Sequence, residues 1–203
     1  MKKLVCLFLA VFLSVAGLYA QDTKRIEGEI GIGYPWVTGK YDGLQQHGGV
    51  AFSAELRYKL PYQPIDLGVR ASVTRLIRKV DRSIEMFDPY LRDDVMAIEA
   101  TGDYKFNKGG NTTLFVGCRL GYAWFDTVKP ELEVDTTDQM VMAVYGEKGN
   151  GVVFSPRIGV QMFRLRLTCS YTIANKYNSH MMVGVGFVIG GGKRQKADRI
   201  TFD

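Results

Sequence analysis

Side chains suited to nucleophilic or metal-binding chemistry are few in this sequence. Its 203 residues include two histidines, His47 and His180, and three cysteines, of which Cys6 lies in an N-terminal apolar run. A zinc site needs several His or Cys ligands at short spacings, and no such spacing occurs. Nucleophilic catalysis needs a nucleophile, a base and a group that orients the base, and Ser179-His180 has no third group at a suitable spacing. We therefore predict no catalytic residue, no metal site and no cofactor, and we expect that the chain is not an enzyme.

Charged side chains are the second group of residues that could bind a partner or form a site. The formal net charge of +5 is spread along the chain, which argues against a nucleic-acid partner. Thirteen charged residues, six acids and seven bases, share one side of a repeated alternating pattern: Glu27, Glu29, Glu55, Arg57, Lys59, Asp66, Arg70, Glu99, Asp103, Lys105, Arg119, Arg157 and Arg166. In a narrow interior these charges must pair, because burying an unpaired charge is prohibitively costly. We predict an interior network of ion pairs.

The elements that carry these charges are predicted to be strands. Apolar and polar residues alternate with a period of two, as in Val50-Ala-Phe-Ser-Ala-Glu-Leu-Arg-Tyr-Lys-Leu60, and no long stretch has a helical period. The pattern predicts eight strands, at 26–34, 50–60, 65–74, 96–106, 112–125, 153–162, 165–173 and 181–190. Most have the roughly 9–11 residues that a tilted transmembrane strand needs.

The direction in which each face points decides between a soluble and a membrane protein. A soluble barrel or sandwich would show the same alternation with the apolar face inside. Here the charged face is rich in Gly, Ala, Ser and Thr, which suit the inside of a narrow barrel. Aromatic residues of the apolar face form two predicted belts, Tyr34, Tyr122, Trp124, Phe154 and Tyr171 at one end of the strands and Tyr58, Tyr104, Phe106 and Phe187 at the other. We therefore predict an all-β fold, an eight-stranded antiparallel up-and-down transmembrane β-barrel.

The connections between strands alternate in length. Short links follow the second, fourth and sixth strands, whereas long ones, 35–49, 75–95 and 126–152, follow the first, third and fifth. Short periplasmic turns and longer external loops are typical of outer-membrane barrels. Segment 126–152 alternates again, as in Glu131-Leu-Glu-Val-Asp135, and is rich in acids, so we predict a projecting hairpin that binds an extracellular protein or divalent cations. A solvated loop with no partner is the alternative.

Three residues within the strands allow predictions about local strand pairing and about disulfide formation. Pro156 cannot donate to a ladder, and therefore predicts a bulge or a break in strand pairing near the outer rim. Cys118 and Cys169 fall on the lipid face of two strands that a third strand separates, so we expect free thiols rather than a disulfide.

The two ends of the chain differ from its centre. Residues 1–20 have a short basic start, an apolar run and a small residue at Ala20, which predicts a secretory signal peptide; a retained membrane anchor is the alternative. We assign 21–190 to an outer-membrane β-barrel domain. Residues 191–203 are predicted to be a basic, disordered periplasmic tail, with contact to anionic lipid or cell wall as the alternative.

Two stretches give the mature chain a family resemblance. Ser155-Pro-Arg-Ile-Gly-Val-Gln-Met-Phe-Arg-Leu-Arg-Leu-Thr-Cys-Ser-Tyr171 and the last strand, Gly184-Val-Gly-Phe-Val-Ile-Gly190, resemble the small eight-stranded outer-membrane β-barrels of the OmpA/OmpX type. The resemblance covers about 26–190. It implies a location in the bacterial outer membrane, in contact with lipid and lipopolysaccharide.

The resemblance also suggests how the chain is assembled and what it does. The spacing of Gly184, Phe187 and Ile189 looks like the last-strand signal read by the barrel-assembly machinery. We expect a structural, adhesion or partner-docking role, with an extracellular protein at 126–152. One alternative is a narrow porin-like transporter of a small or hydrophobic solute, entering through a side opening near Pro156. Another is a lipid-modifying enzyme, because enzymes of this family that modify lipopolysaccharide use rim His and Ser residues.

Overall fold

Eight strands form one closed antiparallel barrel. The computed structural model describes residues 25–38, 44–61, 63–80, 90–106, 112–134, 140–174 and 178–191. The strands are β1 (Ile26–Val37), β2 (Leu44–Lys59), β3 (Ile65–Val80), β4 (Tyr90–Lys105), β5 (Thr112–Val134), β6 (Met140–Met162), β7 (Leu165–Thr172) and β8 (His180–Gly190). Each strand pairs with the next in sequence, and β1 closes the barrel against β8 from Glu27↔Gly190 to Val37↔His180. All eight predicted strands and the predicted fold class are confirmed.

The alternation of side chains along each strand gives the barrel an apolar outside and a charged inside. Outward side chains such as Ile30 and Val69 are each 58% exposed, whereas inward Arg57 is 1% exposed. This is the reverse of a soluble barrel. It is the arrangement that hydrocarbon requires, because a closed sheet leaves no bare backbone edge and its outer surface is apolar. The bulky face looks toward lipid, as predicted, and the architecture is that of an outer-membrane β-barrel. Within the part of the chain that the structure describes, no helix is both long and apolar enough to cross a bilayer.

The strands extend further at the outer end of the barrel than the sequence pattern predicts. β2 begins at Leu44 rather than at 50, β3 ends at Val80 rather than at 74, and β4 begins at Tyr90 rather than at 96. The pattern ends early because outward positions beyond the lipid zone can be charged. Arg75 and Asp94, which face outward in β3 and β4, form an ion pair of 2.7 Å there. Hydropathy therefore marks the membrane-spanning part of a strand rather than its whole length.

β5 and β6 continue together beyond the rest of the barrel. They pair without a register shift through nine residue pairs, from Asp126↔Lys148 to Val134↔Met140. At about 3.4 Å per residue this ribbon is roughly 27 Å long. The predicted hairpin within 126–152 is therefore confirmed, and we call the segment 126–148 the outer hairpin.

Pro156 interrupts the pairing of β6 with β7. Their ladder runs from Met162↔Leu165 to Arg157↔Ser170, and returns as an isolated bridge between Phe154 and Ile173, with backbone hydrogen bonds of 3.0 and 2.8 Å. The register on both sides is the same. The predicted break is confirmed, but it arises only from the missing N–H of proline, and no bulge forms.

Candidate functional site: the barrel interior and the outer hairpin

All thirteen predicted inward charges lie inside the barrel. None of these residues is more than 9% exposed. They come from β1 to β7, whereas the inward positions of β8 include Gly184 and Gly186. A Cβ on Gly186 would lie 2.2 Å from Oε1 of Glu29, so the missing side chain makes room for that carboxylate. Small and charged residues share the inward face because they fill one narrow space together.

Lysines and carboxylates occupy the periplasmic end of the interior. Nζ of Lys59 lies 2.5 Å from Oε1 of Glu27. Nζ of Lys105 lies 2.6 Å from Oδ2 of Asp66 and 3.6 Å from Oε2 of Glu27. Two lysines, from β2 and β4, thus share two acids, from β1 and β3, which holds these four strands together from the inside.

Arginines cross the centre of the interior. Arg157 of β6 donates from Nη1 and Nη2 to the two carboxylate oxygens of Glu55, at 2.8 and 2.7 Å. It also donates from Nε and Nη2 to Asp103, at 2.8 and 3.0 Å. Asp103 accepts a further hydrogen bond from Arg166, whose guanidinium carbon lies 3.6 Å from the centre of the Phe115 ring. Such bidentate, charge-assisted bonds fix opposite walls of the barrel at one separation.

A looser group lies above this centre. Glu99 of β4 lies between Arg70, at 3.9 Å, and Arg119, at 3.7 Å. Arg119 donates to Oγ of Ser170 at 3.0 Å, and Ser155 donates to Glu99 at 3.1 Å. The two guanidinium groups therefore share one carboxylate, at distances longer than a hydrogen bond.

An apolar layer that was not predicted from the sequence closes the outer end of the interior. This apolar layer consists of the buried residues Val37, Leu76, Val95, Ala97, Ala123, Phe125 and Val153. Val37, Leu76 and Val95 lie just beyond the predicted strand ends. Continuing the period of two for one more inward position, from Thr74 to Leu76, would have found this layer.

The predicted aromatic belts lie on the outside of the barrel. All nine side chains are 40% to 47% exposed. Edge-to-face pairs join Tyr104 with Phe106 at 5.1 Å and Tyr122 with Trp124 at 5.4 Å between ring centres. Trp36, which lay outside the predicted first strand, is 43% exposed and packs against Tyr34 at 4.8 Å.

Of the two histidines, His180 is the one whose side chain the structure describes. His180 is 3% exposed, and its Nδ1 lies 2.8 Å from the backbone oxygen of Asn178, so this nitrogen carries a proton and donates it. The side chain of His47 lies outside the described residues. Among the residues that are described, no group of three or more His, Cys, Asp or Glu side chains is placed to hold a metal ion.

The remaining sequence predictions fall on the outer wall or on the chain ends. Cys118 and Cys169 are free thiols. Phe187 and Ile189 point outward near the periplasmic end of β8, each 47% exposed, whereas Gly184 is at an inward position. The predicted signal peptide and nearly all of the predicted tail lie outside the described residues.

Comparison with known proteins finds similarity at the level of folded structures. No family model matches the chain, and no curated protein does. Neisserial surface protein A (NspA) is 12% identical with a TM-score of 0.48, covering 80% of this chain and 96% of that one. Ail of Yersinia pestis, in complex with the heparin analogue sucrose octasulfate, is 17% identical with a TM-score of 0.46, covering 81% and 99%. The N-terminal β-barrel domain of Pseudomonas aeruginosa OprF is 12% identical with a TM-score of 0.45, covering 80% and 97%.

At these identities and TM-scores, the similarity does not show that this chain shares a ligand, partner or activity with these proteins. What the chain is follows from its own geometry: eight strands closed in sequence order, an apolar outer wall and charges buried inside. By that architecture it is a small eight-stranded outer-membrane β-barrel protein.

Proposed function

We propose that this protein is a non-conducting membrane anchor that presents the outer hairpin to an extracellular protein. The observation that carries the proposal is the continuous pairing of β5 with β6 for nine residue pairs beyond the membrane-spanning strands. A ribbon of this length is far more than a connection between two strands requires, since strands of a hairpin can be joined by two residues.

The edges of the outer hairpin support a docking role. Pairing of β4 with β5 ends at Asp94↔Asp126, and pairing of β6 with β7 ends at the Phe154–Ile173 bridge. Among the described residues, the two strands beyond these points therefore pair only with each other. Unpaired backbone edges can bind an extended segment of another protein by strand addition. The sequence of the hairpin contains more acids than bases, which favours a basic partner segment over an acidic one.

The interior supports the non-conducting half of the proposal. An eight-stranded barrel is just wide enough for its side chains to fill it. Here bidentate arginine–carboxylate pairs such as Arg157–Glu55 occupy the centre, and the apolar layer occupies the outer end. An ion would have to displace both a charge network and a layer of buried apolar side chains to cross.

Deletion of the outer hairpin tests the docking role. Residues 127–147 are replaced by a two-residue Asn-Gly turn between Asp126 and Lys148, which are already paired. The matched control replaces 81–89, between β3 and β4, by a Gly-Ser linker. Both variants should show the heat-modifiable gel migration of a folded barrel. Adhesion of cells that carry the protein should fall at least tenfold for the hairpin deletion only, and equal adhesion by both variants would refute the docking role.

Two further assignments belong to the same proposal, beside the outer-membrane location that follows from the architecture. The protein is integral to the bacterial outer membrane, where lipid and lipopolysaccharide surround its outer wall. Gly184, Phe187 and Ile189 serve as the signal for the barrel-assembly machinery. The interior supports no catalytic role for His180, because its ring is buried and Nδ1 is engaged by Asn178. Replacement of both histidines by glutamine should leave adhesion and outer-membrane phospholipid and lipopolysaccharide composition unchanged.

The ladder break at Pro156 favours a second candidate function, the lateral passage of a small hydrophobic solute. Between Arg157↔Ser170 and the Phe154–Ile173 bridge, the β6–β7 seam lacks the one hydrogen bond that a backbone N–H at position 156 would donate. Pro156→Thr restores a donor at this position, and should lower solute uptake if the seam is a passage. Equal uptake by the Pro156→Thr variant and the native protein would exclude it.

A further inference from the structure

The buried charges of the interior do not balance evenly along the barrel. Ten of them form a balanced set of ion pairs with five acids and five bases: Glu27, Glu29, Glu55, Asp66 and Asp103 with Arg57, Lys59, Lys105, Arg157 and Arg166. Four buried charges remain: Arg70, Glu99 and Arg119, which lie together, and Asp93, farther out along β4. Arg70, Glu99 and Arg119 carry a local formal charge of +1, although the buried charges of the described residues balance as a whole.

The geometry around Glu99 leaves this local charge poorly compensated. Arg70 and Arg119 are 6% and 2% exposed, and their Nε atoms lie 3.9 and 3.7 Å from the oxygens of Glu99. Both Nε–H groups are buried and donate to no hydrogen-bond acceptor among the described residues. Glu55, which lies 3.8 Å from Arg70, is already held by both terminal nitrogens of Arg157. Buried donors of this kind are costly unless an acceptor reaches them.

No other described acid can neutralise the pair. The remaining buried carboxylate is Asp93, on the same strand as Glu99. Six residues separate the two, which is about 20 Å at roughly 3.4 Å per residue. Asp93 also does not line the space next to the two arginines.

That space is a small cavity between the ion network and the apolar layer. Arg70, Glu99 and Arg119 line it on one side, and Val95, Ala123 and Val153 of the apolar layer line it on the other. Ser72, Thr74 and Thr172 also line it. The cavity has room for about one small occupant. Its lining therefore combines a local positive charge, two arginines whose buried Nε–H groups lack an acceptor, hydroxyl-bearing residues and apolar side chains.

We propose that this cavity binds one small monatomic anion, such as chloride, between the guanidinium groups of Arg70 and Arg119. The anion accepts hydrogen bonds from the two Nε–H groups and brings the local charge of the three residues from +1 to zero. Its binding is a property of the folded barrel, because the unfolded chain does not bring β3 and β5 together. A small halide therefore stabilises the fold by mass action.

Bromide provides a direct probe of the site. Crystals of the detergent-solubilised full barrel, grown in sodium bromide, should give a peak in the anomalous scattering map inside the cavity, next to both guanidinium groups. A cavity that holds only water, or a peak on the protein surface alone, would overturn the proposal. This measurement uses the unaltered protein and does not depend on the folding of a variant.

Thermal and urea unfolding in micelles provides the second test. Sodium chloride is compared with sodium gluconate at constant ionic strength, so that the cation stays the same and a small monatomic anion is replaced by one too large for the cavity. The ratio of unfolded to folded protein should fall by the factor 1 + [Cl⁻]/Kd, about 100-fold at a chloride concentration of 100 times Kd. An unfolding ratio that is the same in the two salts would refute the proposal.

Two matched variants test whether the effect of chloride on unfolding arises at the cavity. Arg119→Met removes the local positive charge and should abolish the difference between chloride and gluconate. Lys59→Met also removes a buried inward cation, but at the periplasmic end and outside the cavity, so it should retain the difference. A chloride effect that survives Arg119→Met and disappears in Lys59→Met would place the anion elsewhere and contradict the assignment.

Discussion

Arg157 of β6 donates two hydrogen bonds across the barrel to Glu55 of β2, one to each carboxylate oxygen, at 2.8 and 2.7 Å. The two residues are 102 positions apart in the sequence and lie on strands that do not pair with each other. The same guanidinium also holds Asp103 of β4, so that one side chain links three strands through the interior.

Arg157→Met should therefore be among the most destabilising substitutions in the barrel. It leaves Glu55 and Asp103 as buried acids that have lost their main partner, and removal of one member of a buried pair typically costs about 3–5 kcal/mol. Urea unfolding in micelles, followed by tryptophan fluorescence, measures the loss. Arg75→Met removes an arginine from an exposed ion pair on the outer wall and serves as the control, with an expected loss well below that of Arg157→Met. Equal losses would show that the interior network contributes no more than a surface pair.

The apolar layer predicts a contrast between two leucines of the same strand. Leu76 is fully buried inside the barrel, whereas Leu67 faces outward and is 50% exposed. Leu76→Ala should cost about 2–5 kcal/mol of unfolding free energy, because it leaves a cavity in a packed layer. Leu67→Ala should cost less, because lipid or detergent chains fill the vacated space. A larger loss for Leu67→Ala would mean that the outer end of the interior is not closely packed.

Close contact between β4 and β5 predicts that Gly121 tolerates no side chain. A Cβ at this position would lie 2.1 Å from the backbone oxygen of Ile98, and backbone cannot rotate away as a side chain can. Gly121→Ala should therefore destabilise the barrel by about 1–3 kcal/mol. At Gly102 the nearest atom, Cδ2 of Leu67, would be 3.8 Å away, so Gly102→Ala is the matched control and should be neutral or slightly stabilising. The gel-shift melting temperatures of the two variants test the difference.

The ion pair between Arg75 and Asp94 lies beyond the membrane-spanning parts of β3 and β4 and predicts a pH dependence. The hydrogen bond from Arg75 lowers the pKa of Asp94 below its usual value of 3.8. A lowered folded pKa stabilises the fold at every pH above 3.8, and this contribution is lost as the pH falls through the lowered pKa. The stability difference between the native protein and Asp94→Asn should thus be constant at neutral pH and vanish in acid. A difference that grows in acid would contradict the pairing.

The sequence predicts the spanning parts of the strands because lipid enforces a strict alternation. Outward positions such as Ile30 and Val69 must be apolar, and inward ones such as Arg70 need not be, so the period of two is strong over each spanning segment. The alternation weakens beyond the lipid. At Gln46–Gly49 the register of β2 against β3 shifts, and the pattern is lost although the strand continues.

The pairing of inward charges could be predicted only as a set. Alternation places Glu55 and Arg157 on the inward face, but it does not say which acid meets which base. That choice depends on how far each strand is staggered relative to its neighbours around the whole barrel. For the same reason the sequence did not reveal that Arg70 and Arg119 share Glu99, or that Leu76 and Phe125 meet in one layer.

Electrical recording from single barrels in planar lipid bilayers tests the central claim most directly. The purified full chain, inserted from detergent and held under applied voltage, should show no steady conductance of porin size, because the ion network and the apolar layer both obstruct the interior. The same preparation should show heat-modifiable migration, which proves that the inserted protein is folded. Reproducible open-channel currents from this folded material would contradict the claim that the barrel is closed.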